Sequence, residues 1–297
     1  MSRLLMIGAT GYLGSAIAAE LARRGHTVLG LAANDAATAA LDAAGYETLA
    51  GGLADVELLA RAVHGTDGVV YAAGAPTPQW AETERTAISA LLGALSGTGG
   101  PLLYTSGSLM HGPTDGRAAT EDSPLAPPAA LAFKAAIERH VRSAPGVRGV
   151  VIRPSSCYGN GGGGPARLLE LTRRTGAAVH TGDGAARHSF VHVEDLARLY
   201  ALAFEGAEHG SVYLAEDGHP VTTRRLAEAL AAAAGVGGQV RQITDEQAER
   251  IFGPLAPTLA MESVVSSAKA RRELGWIPRQ TDVVTDLTAG SYRNTAA

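Results

Sequence analysis

Two short stretches carry residues whose types and spacing can do chemistry. Residues 8–14 read Gly-Ala-Thr-Gly-Tyr-Leu-Gly, directly after the apolar run Leu4-Leu5-Met6-Ile7. Glycines at 8, 11 and 14 permit a tight turn at the start of a helix, with Thr10, Tyr12 and Leu13 between them. Backbone N–H groups there can approach a pyrophosphate closely. The second stretch, residues 127–138, reads Pro-Pro-Ala-Ala-Leu-Ala-Phe-Lys-Ala-Ala-Ile-Glu, with Lys134 in an alanine-rich helical pattern. One turn earlier, at the position that shares its face, stands Ala130. Of 25 basic residues only Lys134 and Lys269 are lysines, so a lysine kept against that bias invites a chemical reading.

The elements that must position these groups follow from the apolar pattern. Unalternating apolar runs at 4–7, 27–32, 69–73, 102–105 and 147–154 read as buried strands, the last stopped by Pro154. Leu13, Ile17 and Leu21 mark a helix closed by Gly25, and further helical patterns lie at 55–63, 82–96 and 193–204. In the last of these, Val193, Leu196 and Tyr200 form one stripe, a core or oligomer contact, and Glu194-Asp195 suit the helix dipole. Strand–helix alternation predicts an α/β fold, a doubly wound parallel sheet covered on both faces. Beyond residue 155 the rhythm turns irregular. The expected division is a dinucleotide-binding domain at 1–159, with 188–215 returning to it. Residues 160–187 and 216–297 then form a smaller, discontinuous, mostly helical substrate-binding lobe.

Six stretches, in order along nearly the whole chain, carry a family resemblance. They are the G-x-x-G-x-x-G turn at 8–14, GTDGVVYAAG (65–74), LLYTSGSLMHG (102–112), IRPSSCYGNG (152–161), HSFVHVEDLARLY (188–200) and SAKARRELGWIP (267–278). Together they resemble the short-chain dehydrogenase/reductase superfamily, in its extended or atypical, epimerase/dehydratase-like branch. The resemblance implies a Rossmann-type sheet with the cofactor against Gly8, Thr10, Gly11, Tyr12, Leu13 and Gly14. It places Ala72, Ala73 and Gly74 beside a ribose, Thr105 at the end of the fifth strand, and Pro154 and Ser156 along the nicotinamide. Gly52 and Leu53 fall near the adenine, where the family usually shows Asp-Leu. NAD-preferring members hold the ribose 2′-hydroxyl with an acid at the end of strand two. Here that position is Ala32, followed by Ala33, Asn34 and Asp35. NADP(H) is therefore expected, with Asn34 donating to a 2′-phosphate. NAD, reached by Asp35, is the alternative.

In this family a Tyr-x-x-x-Lys pair works on one helix. The lysine holds the ribose and the tyrosine exchanges a proton with the substrate oxygen. Lys134 falls at the lysine position, and Ala130 at the tyrosine position. The companion Ser/Thr position is Gly107, flanked by Ser106 and Ser108, and His111 replaces the tyrosine of a Tyr-Gly pair. General acid catalysis contributes ~10²–10⁴-fold, about 3–5 kcal/mol. Orientation of the reactants contributes up to ~7–11 kcal/mol and survives the loss of the acid. Reduction thus remains feasible where the proton comes from elsewhere: a phenol beside the carbonyl, water, or His111 through water. Ser106 or Ser108 would donate to the oxyanion. This reading is an NADPH-dependent ketoreductase for a polycyclic aromatic ketone, similar to the tailoring ketoreductases of aromatic polyketide pathways. The other open reading is a catalytically silent NADP(H)-binding sensor. Epimerisation and dehydration begin by oxidising an alcohol, which needs a base that Ala130 cannot be. Trp80, Tyr158, Arg187 and His188 lie in segments that border the family's substrate cleft. Each would suit a flat, apolar substrate and equally suits ordinary packing.

Composition bounds the rest. With 46% hydrophobic and 18% charged residues the chain has a globular composition. A net charge of −4 gives no footprint for nucleic acid or an anionic membrane. The single cysteine, Cys157, excludes an internal disulfide and has no activating neighbour in sequence. No stretch approaches the ~20 apolar residues of a membrane span, and the opening apolar run is too short for a signal segment. The expectation is a cytoplasmic monomer or homodimer without a metal.

Overall fold

Apolar runs without alternation become strands that are buried on both faces. The computed structural model describes residues 1–74, 79–280 and 282–293. Its strands in chain order begin with β1 (Arg3–Ile7), β2 (Thr27–Ala32), β3 (Glu47–Ala50), β4 (Gly68–Tyr71), β5 (Pro101–Thr105) and β6 (Arg148–Pro154). There follow β7 (Ser156–Tyr158), β8 (Ala178–Thr181), β9 (Arg187–His188), β10 (Phe190–His192), β11 (Val212–Ala215), β12 (Val221–Thr222) and β13 (Val240–Ile243). Seven of them form one sheet in the order β11-β6-β5-β4-β1-β2-β3, and its pairs from β3 to β6 are parallel.

The helices are α1 (Tyr12–Arg23), α2 (Asp35–Ala43), α3 (Val56–Val63), α4 (Trp80–Leu95), α5 (Phe133–Ser143) and α6 (Gly163–Thr175). They continue with α7 (Val193–Gly206), α8 (Thr223–Ala234), α9 (Asp245–Phe252), α10 (Pro257–Ala260), α11 (Ala268–Leu274) and α12 (Val283–Ala289). No helix among the described residues is long and apolar enough to cross a membrane.

The strand order reverses between β1 and β4. The chain builds β2 and β3 to one side and β5 and β6 to the other, so the carboxyl ends of β1 and β4 open a crevice. One core behind it joins Leu5 and Ile7 of β1, Val69 of β4 and Leu102 of β5 to Ile88, Leu91 and Leu92 of α4 and Val141 of α5. Each such side chain contributes roughly 1.5–3 kcal/mol on burial.

Contacts divide the chain into two compact units: Met1–Ser106, Phe133–Arg153 and Ala197–Tyr213 in the first, Gly107–Ala132, Pro154–Leu196 and Leu214–Ala297 in the second. The boundaries differ from those expected, because 107–132, 154–159, 188–196 and 214–215 belong to the second unit. The reason is hydrogen bonding. Gly116 N donates to Glu262 Oε1 at 2.7 Å, Ala119 bridges to Val265, and β7 pairs with β10.

The second unit is less helical than expected. It carries the ribbons β7–β10, β9–β12 and β8–β13 beside α6, α8 and α12. Strands this short carry too few apolar residues to show a period. Its core gathers Tyr158, Leu169, Phe190, Leu230, Leu287 and Tyr292.

Two sequence motifs prove structural. Val193, Leu196 and Tyr200 are at most 1% exposed, so that stripe is core. Asp195 does more than suit a dipole: its carboxylate accepts from Arg279 N at 2.8 Å and Gln280 N at 3.0 Å. Its carbonyl takes the Trp276 Nε1–H at 2.7 Å.

Tyr158, expected at a substrate cleft, is 0% exposed. Its hydroxyl donates to Asp217 Oδ2 at 3.0 Å, and its ring packs edge-on against Phe190 and His192. Burial pushes the Asp217 carboxyl up from 3.8 to about 6, against the hydrogen bonds from His219 N–H and Tyr158. The folded state therefore binds this proton more tightly than the unfolded chain, and stability falls as pH rises through that interval. Chemical unfolding from pH 4 to 7 should show this loss in the parent. Asp217→Asn should flatten the profile, and an unchanged slope would remove Asp217 as its source.

Candidate functional site

The turn after β1 is closed by contacts that tolerate no side chain. Gly8 has φ +87°, and a Cβ on it would lie 2.8 Å from the Ala72 carbonyl oxygen. One on Gly14 would lie 1.9 Å from the Gly8 oxygen. Only glycine lets β1, the start of α1 and the end of β4 approach this closely. Helix α1 begins at the N-cap Gly11 with no side-chain cap and no acid in its first turn. A helix start of this kind, with its N–H groups and the positive end of the helix dipole at the turn, suits an anion. Thr10 and Gly11 are exposed at the mouth. This cradle fits the pyrophosphate of a dinucleotide.

Around it the expected contacts are in place. Ala32 is buried at the end of β2, and Ala33 and Asn34 are exposed. Asn34 caps α2, its Oδ1 taking the Ala37 N–H at 2.9 Å, which leaves its amide N–H group free to donate outward. Gly52 is half-buried, and Leu53 packs against the core of the first unit. Ala72 N donates to Ile7 O at 2.9 Å, carrying the chain through Ala73 to the exposed Gly74.

At the end of β5, Thr105 turns inward. Its hydroxyl donates to Tyr71 O at 2.7 Å and lies 2.6 Å from Tyr200 Oη. The next residue differs: Ser106 Oγ is buried with no partner among the described residues. A hydroxyl left unsatisfied at the carboxyl end of a central strand is costly, and it marks where a ligand oxygen would complete it.

Lys134 is not solitary. Its Nζ donates to Glu84 Oε1 at 2.8 Å and Tyr104 Oη at 2.9 Å, and reaches Thr105 O at 3.5 Å. Glu84 is 0% exposed and the lysine side chain 15% exposed. All three ammonium hydrogens therefore have partners within the protein. Holding a ribose would require exchanging the longest contact. Tyr104 also donates to Glu84 at 2.8 Å; burial first, then that carboxylate, raises its pKa far above the usual phenol range. It is fully buried, so its hydroxyl is not open to a substrate. Preceding Lys134, Ala129–Leu131 form a 3-10 turn and α5 starts at Phe133.

Sequence reasoning missed Glu84 and Tyr104. A signal existed: Glu84 lies on the apolar stripe of α4 with Ala87, Ile88, Leu91 and Leu95, and a carboxylate there needs a cation. Arg153, in the Arg-Pro segment, is likewise structural, paired with Glu138, both 2% exposed. Trp80 is half-buried and packs against the first unit's core.

In the second unit, Ser108 and His111 lie on a 3-10 turn and are each 5% exposed. His111 Nδ1 is 3.3 Å from the Pro124 carbonyl. Pro154 is buried, and Ser156 is exposed at the edge of a cleft that His188 also lines. Arg187 pairs with Glu262 at 3.0 Å, which holds that carboxyl below its ordinary value. Burial pushes the Cys157 thiol up to about 12, so it is unreactive. His188 and His192 stand four residues apart with Glu194 two beyond, a ligand-like spacing that the expectation of no metal overlooked. They occupy β9 and β10 rather than one helix face. Among the described residues no three His, Cys, Asp or Glu side chains group to hold a metal.

The sequence profile of the NAD dependent epimerase/dehydratase family matches residues 4–215. An uncharacterised protein of Saccharomyces cerevisiae is 30% identical, covering 98% of this chain and 100% of its own. The 2-alkyl-3-oxoalkanoate reductase of Stenotrophomonas maltophilia is 29% identical over 93% of this chain and 95% of its own. A 4-hydroxy-2-methyl-3-oxo-4-farnesyl-3,4-dihydroquinoline-1-oxide ketoreductase of Stigmatella aurantiaca is 28% identical, with 94% and 93% covered. Among solved structures, the dTDP-glucose 4,6-dehydratase of Streptomyces venezuelae with NAD bound superposes with a TM-score of 0.80. It is 26% identical, covering 99% of this chain and 97% of that one.

The Glu84–Lys134 pair is directly testable. Lys134→Met leaves a buried carboxylate uncompensated, and urea unfolding should show a loss of about 3–5 kcal/mol. Adding Glu84→Gln should recover most of it. A single variant as stable as the parent would show that the pair does not matter to the fold.

Proposed function

Because the chain belongs to the NAD dependent epimerase/dehydratase family, we propose that it is an NADPH-dependent ketoreductase. Its substrate is a polycyclic aromatic ketone with a phenol beside the carbonyl, a chemistry like that of the angucyclinone ketoreductase of simocyclinone biosynthesis. The observation that carries this reading is the unpartnered Ser106 hydroxyl at the end of β5, in the unit that also builds the dinucleotide cradle.

The chemistry that NADPH would supply when bound is a hydride for the carbonyl carbon. The chain's residues do the rest by position. The glycine turn and the start of α1 would hold the pyrophosphate, and Ser106 would donate to the carbonyl oxygen as negative charge develops on it. Lys134 gives the ribose a nearby positive charge while remaining tied to Glu84. With alanine at 130, the proton that completes the alcohol comes from the neighbouring phenol or from water. Ser108 and His111 act only in support. The two reductases among the relatives act on ketones by name, one of them on an aromatic ring system, and they support the reaction type.

Preference for NADPH rests on the alanines at 32 and 33 and on the outward amide of Asn34. One observation favours the other reading, a silent NADP(H)-binding sensor: every ammonium hydrogen of Lys134 already has a partner.

Three outcomes test the proposal. With NADPH and a panel of hydroxylated polycyclic quinones, absorbance at the nicotinamide band should fall; no oxidation above background would sink the ketoreductase. The combined variant Ser106→Ala, Ser108→Ala, His111→Ala should lose about 10²–10³-fold in kcat, the cost of removing the oxyanion contact, and keep a rate above background. A fall to the uncatalysed rate would identify one of them as the proton donor. Asn34→Asp keeps the cap of α2 and adds a repelling charge, so NADPH should bind at least about tenfold more weakly and NADH about as before. Equal effects on both would refute the 2′-phosphate contact.

A further inference from the structure

The second unit holds a cleft of about 490 Å³, built between α6, α8 and the segment from α9 to α10. Its floor is apolar, with Leu168, Leu171, Phe190, Leu226, Phe252 and Leu259. Its charge is one-sided. Arg167 and Arg174 line it from α6, seven residues apart and hence on one helix face with Leu171 between them. Among the described residues neither guanidinium has a salt bridge or hydrogen bond, and no Asp or Glu lines the cleft. Elsewhere on the surface arginines are commonly paired, as Arg23 and Arg24 are with Glu20 and Arg225 is with Glu228.

A third polar group points to an occupant independently. His188 lines the same cleft, and its Nε2 is buried with no partner among the described residues. A buried ring nitrogen left unpartnered is costly, and it can accept from or donate to a hydroxyl according to its tautomer. What it lacks is a polar partner, which a ligand hydroxyl would supply.

We propose that this cleft binds an apolar ring system that carries an acidic group and a hydroxyl. The rings lie on the floor formed by Leu171, Phe190 and Leu226. The acid meets Arg167 and Arg174, and the hydroxyl hydrogen-bonds to His188 Nε2. Covering the two guanidiniums with apolar surface strengthens their attraction for the acid, because water no longer screens it. That this ligand is also the substrate rests on the ketoreductase reading, and the reduced molecule is then an acidic, hydroxylated polycyclic ketone. Binding itself does not depend on turnover.

Three probes with one ring body separate the contributions: 6-hydroxy-2-naphthoic acid, 2-naphthoic acid and 2-naphthol, titrated by calorimetry at neutral pH. The hydroxy acid should bind tightest, about tenfold above 2-naphthol, and its affinity should fall with added salt. In Arg167→Gln, Arg174→Gln, whose side chains are exposed, the advantage of the acid should vanish while 2-naphthol binds as before. His188→Phe, checked for an unchanged melting temperature, should abolish the preference for the hydroxy acid over 2-naphthoic acid. Equal binding of acid and naphthol by the parent, or an undiminished acid preference in the arginine variant, would overturn the proposal. A hydroxyl preference that survives His188→Phe would overturn the His188 contact. Binding as described without any NADPH oxidation across the quinone panel would keep the cleft and discard the ketoreductase. Oxidation without the acid preference would do the reverse.

Discussion

A carboxylate with no exposure to water governs the first unit. Glu84 sits on the face of α4 that packs against the sheet, where an unpaired charge would cost several kcal/mol. Lys134 and Tyr104 answer it from α5 and β5, so one network ties three elements together just below the carboxyl ends of the strands. The constraint runs both ways. Lys134 cannot be chosen for its ribose contact alone, because the same ammonium neutralises Glu84. The lysine that looks like the surviving half of a catalytic pair is also a structural cation, and that second duty explains its retention beside Ala130 as well as the first does.

The cradle and the proton are separate problems in this protein. The turn from Gly8 to Gly14 is fixed by backbone approach distances that leave no room for a Cβ, and α1 starts at the N-cap Gly11, which makes no side-chain cap. These features hold a dinucleotide whatever happens at position 130. Hydride delivery depends on orientation, which the cradle supplies, whereas proton delivery depends on a group with a suitable pKa near the carbonyl. On the ketoreductase reading proposed above, losing the second without the first would restrict the enzyme to substrates that can stabilise their own oxyanion.

What the sequence discloses and what it hides divide along a physical line. Strands such as β1 and β5 are legible because burial on both faces leaves an almost unbroken apolar run. The glycine turn is legible because its conformation excludes other residues. The partners of Lys134 are not, because Glu84 lies 50 positions away in sequence and only the fold brings them within 2.8 Å. The placement of 107–132 in the second unit depends on hydrogen bonds to residues near 262, and no local pattern announces such a pairing. Tyr158 illustrates the reverse error: an aromatic in a segment that borders a cleft proves to be core, held by Asp217. Arg167 and Arg174 read in sequence as ordinary helix-surface charges. Only the apolar floor beneath them gives their lack of partners a meaning.

The carboxylate of Asp195 has a consequence for the order in which the chain is completed. Its partners are the N–H groups of Arg279 and Gln280, 84 and 85 residues further on, with Trp276 bonded to its carbonyl. A ribosome making ~5–20 residues per second therefore releases the start of α7 several seconds before those groups exist. Until then a side chain destined for full burial stays hydrated, and α7 cannot settle into its final surroundings. The second unit is thus finished after nearly the whole chain has been synthesised, and a chain ending before residue 276 would keep that charge permanently in water.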